Sequence, residues 1–383
     1  MYGYEKTAPA IAVEESGSPA ADGQETSAFS RREAKKLVQD LFTPKPMLYW
    51  ADFLITVSIG YGFAALYLMA PAFSLIQIIA MLLSGLALFR VGIFIHELVH
   101  REEASMIGFH IAWNLLVGMP LLMHSFLYRN HLDHHHPRKF GTPADGEYLP
   151  LGSAPLRETA LYFAQVPILP IMAAFRFLIL VPLSFLNPRW RRWLLECRSS
   201  YAIDPYYRRT IPSTERLDLW AALDLLGFVW VVGSLTLILG GVITWTTIGL
   251  LYCLAIWTIG LNWIRTLAAH RFMNEGGNMT YEEQVEDSLT IGGHSLLSYL
   301  LFPIGLRYHT LHHLFPLMPY HSMGEAHRRL MNGLPEDSVY RKTIVPGLVA
   351  VLRDLLRHAS LAGKAGRNPM QVWRHPETAT YAR

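Results

Sequence analysis

The stretch 73-FSLIQIIAMLLSGLALFRVGIFIHELVH-100 decides the fold. Its first 23 residues, Phe73 to Ile95, carry one charge, Arg90 near their end. As a helix they span a hydrocarbon core of about 30 Å, which takes about 20 residues. The stretch closes on HELVH, where His96 and His100 stand four apart, a spacing that lets two imidazoles on one helix face reach a single ion. By itself this pair is also the zinc-hydrolase signature, in which Glu97 would be the general base.

The same pattern extends on both sides. Leu48 to Ala70 is a second run of 23 residues whose only charge is Asp52, and the link Pro71-Ala72 is so short that the two runs must form a hairpin. Leu219 to Leu239 and Val242 to Ile264 form another, joined at Gly240 and Gly241, with Asp224 the one charge in either. Two further apolar blocks carry polar residues: Met106 to Tyr128 contains His110, Asn114 and His124, and Leu161 to Leu186 contains Gln165, Arg176 and three prolines. Both are expected to be interfacial or re-entrant. The fold class expected is therefore an all-α integral membrane protein, with two transmembrane helical hairpins and interfacial helices carrying a cytoplasmic, histidine-lined dimetal cap.

Composition agrees with this grouping. Only 16% of the 383 residues are charged, and the mean hydropathy is +0.22. The net charge of +3 is too small and too scattered for a nucleic-acid surface. Residues 1–30, rich in Ala, Ser, Gly and Glu, read as a disordered tail. Residues 31–343 form the membrane domain, and 344–383 an amphipathic helix, Leu348 to His358, with a tail. Arginines crowd residues 189–216, and by the positive-inside rule this connection, the N-terminal segment and the C-terminus belong on the cytoplasmic side, most simply of a bacterial inner membrane. Cys197 and Cys253 stand far apart, which leaves no disulfide framework and no thiolate metal site.

Histidine is the outlier, at 17 residues. HLDHH places His131, His134 and His135 at i, i+3 and i+4, and HTLHH repeats the pattern with His309, His312 and His313. At this histidine frequency roughly 0.03 such matches are expected by chance. His270 follows the sixth apolar block directly. The two hairpins return the chain to one side, so all nine histidines meet at the cytoplasmic ends of the spans if Leu161 to Leu186 makes no net crossing.

In these boxes, their order and their placement after membrane hairpins, the sequence resembles the integral-membrane fatty acid desaturase and hydroxylase superfamily from about Leu48 to about Met331. The stretch HTLHHLFPLMPYHSMGEAH looks much like the third box of acyl-lipid desaturases. The resemblance implies nine metal ligands: His96, His100, His131, His134, His135, His270, His309, His312 and His313. It further implies two iron ions, O₂ as co-substrate and an enzyme that introduces a double bond into a fatty acyl chain of a lipid or thioester. Hydroxylation of an alkane, sphingolipid or carotenoid stays open, because the boxes do not separate the two outcomes. One departure is Thr266, where animal acyl-CoA desaturases have an Asn four residues before the histidine that corresponds to His270.

Zinc has no redox chemistry and cannot support attack on an unactivated methylene, whereas imidazole suits iron as well. With no cysteine-ligated cluster and no nucleotide or haem signature, electrons must come from an external ferredoxin, rubredoxin or cytochrome. Glu97 and Asp133 are expected to orient imidazoles, and Asn262 and Arg265 to face the metal end of the last span, where Trp263 shapes a substrate tunnel or serves as a belt residue. His110, His124 and His136 are left out of the ligand set, and His321 and His327 are placed behind it. Two rivals of other classes are a HExxH membrane zinc metalloprotease, which leaves most boxed histidines unexplained, and a metal transporter, whose ligands should lie near the midplane.

Overall fold

The computed structural model describes residues 31–101 and 104–375; the expected tail at 1–30 lies outside them. Among the described residues, five helices are long and apolar enough to cross a membrane. They are α1 (Pro46–Met69), α2 (Leu75–Leu98), α3 (Leu156–Ser184, with a π-helical stretch at Arg176–Leu180), α4 (Leu217–Leu239) and α5 (Trp245–Thr266).

The first hairpin is held by the few polar groups its sequence contains. Pro46 opens α1 at a position where no N–H partner is needed, and the Ser74 side chain caps α2 by accepting from the Gln77 amide. Asp52 and Arg90 meet through a 2.6 Å contact, so each apolar run neutralises the other's only charge. Close approach of α2 to α5 depends on Gly85, where a Cβ would stand 2.1 Å from Trp257.

The block expected to be interfacial or re-entrant around 161–186 is one helical stretch of 29 residues. Tyr162, near its start, donates to the Trp263 carbonyl, three residues before α5 ends. Arg176, two-thirds along, pairs with Asp224 in the second turn of α4 and donates to Ser199. The other polar block is irregular: a short 3₁₀ turn and helix over Ala104–Trp113, a π-helical Asn114–Gly118, and Leu122 with φ of 54°. His110 and His124 serve it structurally, bonding the Arg101 carbonyl and Asp224.

The remaining elements form a helical body over one end of the spans. It departs from all-α where β1 (Thr290–Ile291) pairs in parallel with β2 (Ile344–Val345). That ladder ties the C-terminal segment to the chain just past His270. The helix Leu348–Lys364 follows and buries Leu348, Val351, Leu355, Ala359 and Ala362, the apolar stripe its sequence spacing provides.

Candidate metal centre

The eight boxed histidines and His270 converge at the end of the spans, carried there by different local devices. Helix α2 continues through His96 and stops at Leu98, so His100 sits in a tight turn rather than on the expected continuous helix face. His131–His134 is a single helical turn with His135 as its C-cap, and His309–Leu314 is a six-residue helix. His270 is held by an antiparallel bridge to Ser288.

Two groups of four result: His100, His131, His135 and His312, and His134, His270, His309 and His313, with one ring nitrogen from each member lying within 4.8 Å of the others in its group. In the first, Nε2 of His131, His135 and His312 stand 3.0, 2.9 and 3.4 Å apart. In the second, His270 Nε2 lies 3.1 Å from His134 and 2.9 Å from His309, which is 3.1 Å from His313. The groups touch through His135 and His313, whose ring centroids are 4.4 Å apart. His96 lies outside both four-membered sets, with its ring 4.2 Å from His312 and 4.3 Å from His131.

Carboxylates behind the rings set the tautomers. His131 Nδ1 meets Glu147 at 2.9 Å, His134 Nδ1 meets Asp145 at 2.8 Å, and His270 Nδ1 meets Asp287 at 3.2 Å. A ring that donates from Nδ1 presents a lone pair at Nε2. Burial first, and then repulsion among neighbouring rings, holds His131, His135, His309, His312 and His313 well below the usual imidazole range. Burial is the largest influence on His134 and pushes it down, but the carboxylates of Asp145, Glu147 and Asp287 together outweigh it and the net direction is up. Neutral rings whose lone pairs converge at about 3 Å repel one another unless a cation sits between them. Ligand nitrogens about 2.1 Å from a common ion stand about 3.0–3.4 Å apart, so the donor set and its spacing fit two metal ions.

The acids that hold the rings are not those the sequence suggested. Glu97 accepts from the Tyr49 hydroxyl, Arg101 Nε at 3.0 Å and the Tyr320 amide at 3.2 Å. Asp133 accepts from Tyr207 and Lys139. Each follows a ligand by one or two residues, and on a helix that offset turns a side chain away from its neighbour. Asp145 reaches His134 only because Gly141, at φ of +71°, bends the loop so that Asp145 also accepts from the Gly141 and Glu147 amides. No periodic spacing marks Asp145, Glu147 or Asp287. Asn262 accepts from Arg265 Nη2, and Arg265 lines a small cavity with His96, His134, His309 and Glu147. His136 accepts from the Arg138 amide, His321 from Lys45, and His327 pairs with Tyr340; the described contacts of these three include no boxed histidine.

With this geometry in view, comparison with known proteins is decisive. The fatty acid desaturase family model matches residues 72–344. The chain belongs to the fatty acid desaturase family. It is also 40% identical over 345 residues, covering 88% of this chain and 96% of the relative, to a ceramide hydroxylase of Caulobacter vibrioides. No solved structure matches. Family membership confirms the resemblance drawn from the histidine boxes. Tied to Tyr49, Arg101 and Tyr320, the Glu97 carboxylate is not presented as the base that a HExxH hydrolase requires.

Proposed function

We propose that the chain is a membrane lipid oxidoreductase that uses O₂ and two iron ions to oxidise an unactivated C–H bond. The observation that carries this reading is the pair of four-histidine groups, with His96 beside them, buried at the ends of apolar helices. His100, His131, His135 and His312 would hold one ion, His134, His270, His309 and His313 the other, with His96 completing the first. When bound, the ions supply O₂ activation and the oxidising power for C–H cleavage, which zinc lacks. Asp145, Glu147 and Asp287 keep Nδ1 protonated and Nε2 free on three of the rings.

Hydroxylation is the outcome we favour, because the Caulobacter vibrioides relative is named a ceramide hydroxylase and aligns over nearly its whole length. One C–H, O₂, two electrons and two protons then give one C–OH and one water. Introduction of a double bond into a fatty acyl chain is the second reading, supported by the family model. There the same inputs remove two hydrogens and give two waters. In both, electrons arrive one at a time from an external ferredoxin, rubredoxin or cytochrome, since Cys197 and Cys253 lie far apart in sequence and neither belongs to a metal-ligand group among the described residues. The arginine-rich segments support a histidine end on the cytoplasmic side of a bacterial inner membrane.

The test is reconstitution with a ferredoxin and its reductase, a ceramide and isotopically labelled O₂. Retention of one labelled oxygen in the lipid supports hydroxylation, and loss of two hydrogens without label supports desaturation. An iron-loaded protein that changes neither ceramides nor acyl lipids refutes the proposal.

A further inference from the structure

Arg265 is a buried guanidinium, 6% exposed, in a cavity it lines together with histidines of the metal centre. Its Nη2 donates to Asn262 Oδ1 at 3.0 Å, but its Nε–H is buried without a partner. In the same turn Trp263 buries its indole N–H, likewise unpartnered. A buried donor with no acceptor is costly, and more so on a charged group. Glu147 lines the same cavity and already offers a counter-charge, so what the guanidinium lacks is a hydrogen-bond acceptor rather than a second anion. The other walls are His96, His134, His270 and His309, so an atom that reaches Arg265 is within a few bonds of one that reaches the metal centre.

We infer that Arg265 is a substrate-positioning residue that donates to a neutral oxygen of the lipid, an amide carbonyl or a hydroxyl, lying within a few bonds of the oxidised carbon. This rests on the proposed lipid oxidation and adds its regiochemistry. Attack falls beside the polar head, where a mid-chain methylene would leave Nε–H without an acceptor. A leucine at 265 would line a purely aliphatic tunnel better than an arginine does.

Two measurements test it. The first needs no turnover: binding of a short-chain ceramide, and of an alkane of equal carbon number, to purified full-length protein, followed by tryptophan fluorescence. Arg265→Leu should weaken ceramide binding by about tenfold or more, the worth of a hydrogen bond to a charged group, leave alkane binding unchanged, and be partly rescued by Arg265→Lys. Equal ceramide affinity for wild type and Arg265→Leu overturns the inference. The second locates the new oxygen or double bond in the wild-type product by tandem mass spectrometry, which also decides the matter if Arg265→Leu does not fold. A position within the first few carbons from the amide supports the inference, and a mid-chain position overturns it. If no lipid is oxidised at all, the proposed function fails, while the binding comparison still judges Arg265.

Discussion

Replacing Asp145 by Asn should empty one metal position and spare the other. Asp145 is fully buried and accepts three hydrogen bonds, from His134 Nδ1 at 2.8 Å and the Gly141 amide at 3.0 Å on Oδ2, and from the Glu147 amide at 2.9 Å on Oδ1. An Asn has one acceptor oxygen and one donor nitrogen. With its oxygen toward His134, its NH₂ opposes the Glu147 N–H. With its NH₂ toward His134, it opposes the Gly141 N–H and drives the imidazole proton to Nε2, masking the lone pair that faces His270. Either orientation leaves a buried donor unsatisfied, at a cost of about 1–3 kcal/mol. At about 1.4 kcal/mol per tenfold, affinity at the His134, His270, His309 and His313 group should fall roughly 10- to 100-fold, the range typical of residues that orient metal ligands. Titrating iron-loaded protein with chelator and counting retained ions by elemental analysis reads this directly. Wild type and Asp145→Asn should part at the weaker ion only. Glu147→Gln should be milder, because the Tyr128 hydroxyl that donates to Glu147 can turn and accept from the new NH₂. Parallel loss of both ions in Asp145→Asn, or retention indistinguishable from wild type, would refute the assignment of Asp145 to one group.

Three further outcomes are expected. His312→Ala should abolish O₂-dependent turnover with membrane insertion intact, whereas His136→Ala should be tolerated; turnover assays on membranes of each variant check this. Gly227→Ala should destabilise the protein by about 1–3 kcal/mol, because its Cβ would stand 2.4 Å from Phe177, and Phe177→Leu should restore thermal stability. Burial pushes the Asp204 carboxyl up to about 8, only partly opposed by the Tyr206 amide. Its folded value is thus raised above the unfolded value of about 3.9, so the stability of the neutral form is present below that value and lost as pH rises through about 8. Asp204→Asn should therefore gain thermal stability relative to wild type between about pH 5 and about pH 8, and a flat difference across that range would contradict the buried, partnerless Oδ2.

What the sequence made legible was whatever repeats along one dimension. Apolar runs of bilayer length marked α1, α2, α4 and α5 within a few residues, and histidines at i, i+3 and i+4 marked side chains that one helical turn brings together. What it hid was set by loops. Asp145, Glu147 and Asp287 reach their histidines across 11, 16 and 17 residues, the first two through a Gly141 conformation that no periodicity encodes. Adjacency misled in the opposite direction, since Glu97 and Asp133 neighbour ligands in sequence but turn toward Tyr49 and Tyr207.

Helix α3 is where length and connectivity disagree. With 29 residues, mostly apolar, it could cross a membrane. If α1, α2, α4 and α5 all cross as well, five passages lie between the start of α1 and the end of α5. His96, which follows two of them, would then stand on the opposite side from His270, which follows five. Yet His270 Nε2 lies 3.1 Å from His134, and His134 neighbours the His96 cluster through His131. At 1.5 Å per residue a crossing carries the chain about 30 Å, so the number of crossings before His270 must be even. We propose that α3 is the helix that does not cross. Tyr162 meets Trp263 about 5 Å from the end of α5, and Arg176 meets Asp224 about 10 Å from the start of α4. Both depths are measured from the histidine end, so α3 stays within about 10 Å of that end at both contacts. Pro167, Pro170, Pro182 and the π-helical turn at Arg176–Leu180 are the features that let so long a helix bend without breaking. A tilted α3 also brings Tyr162 beside Trp263, where it would help close the cavity proposed for the substrate.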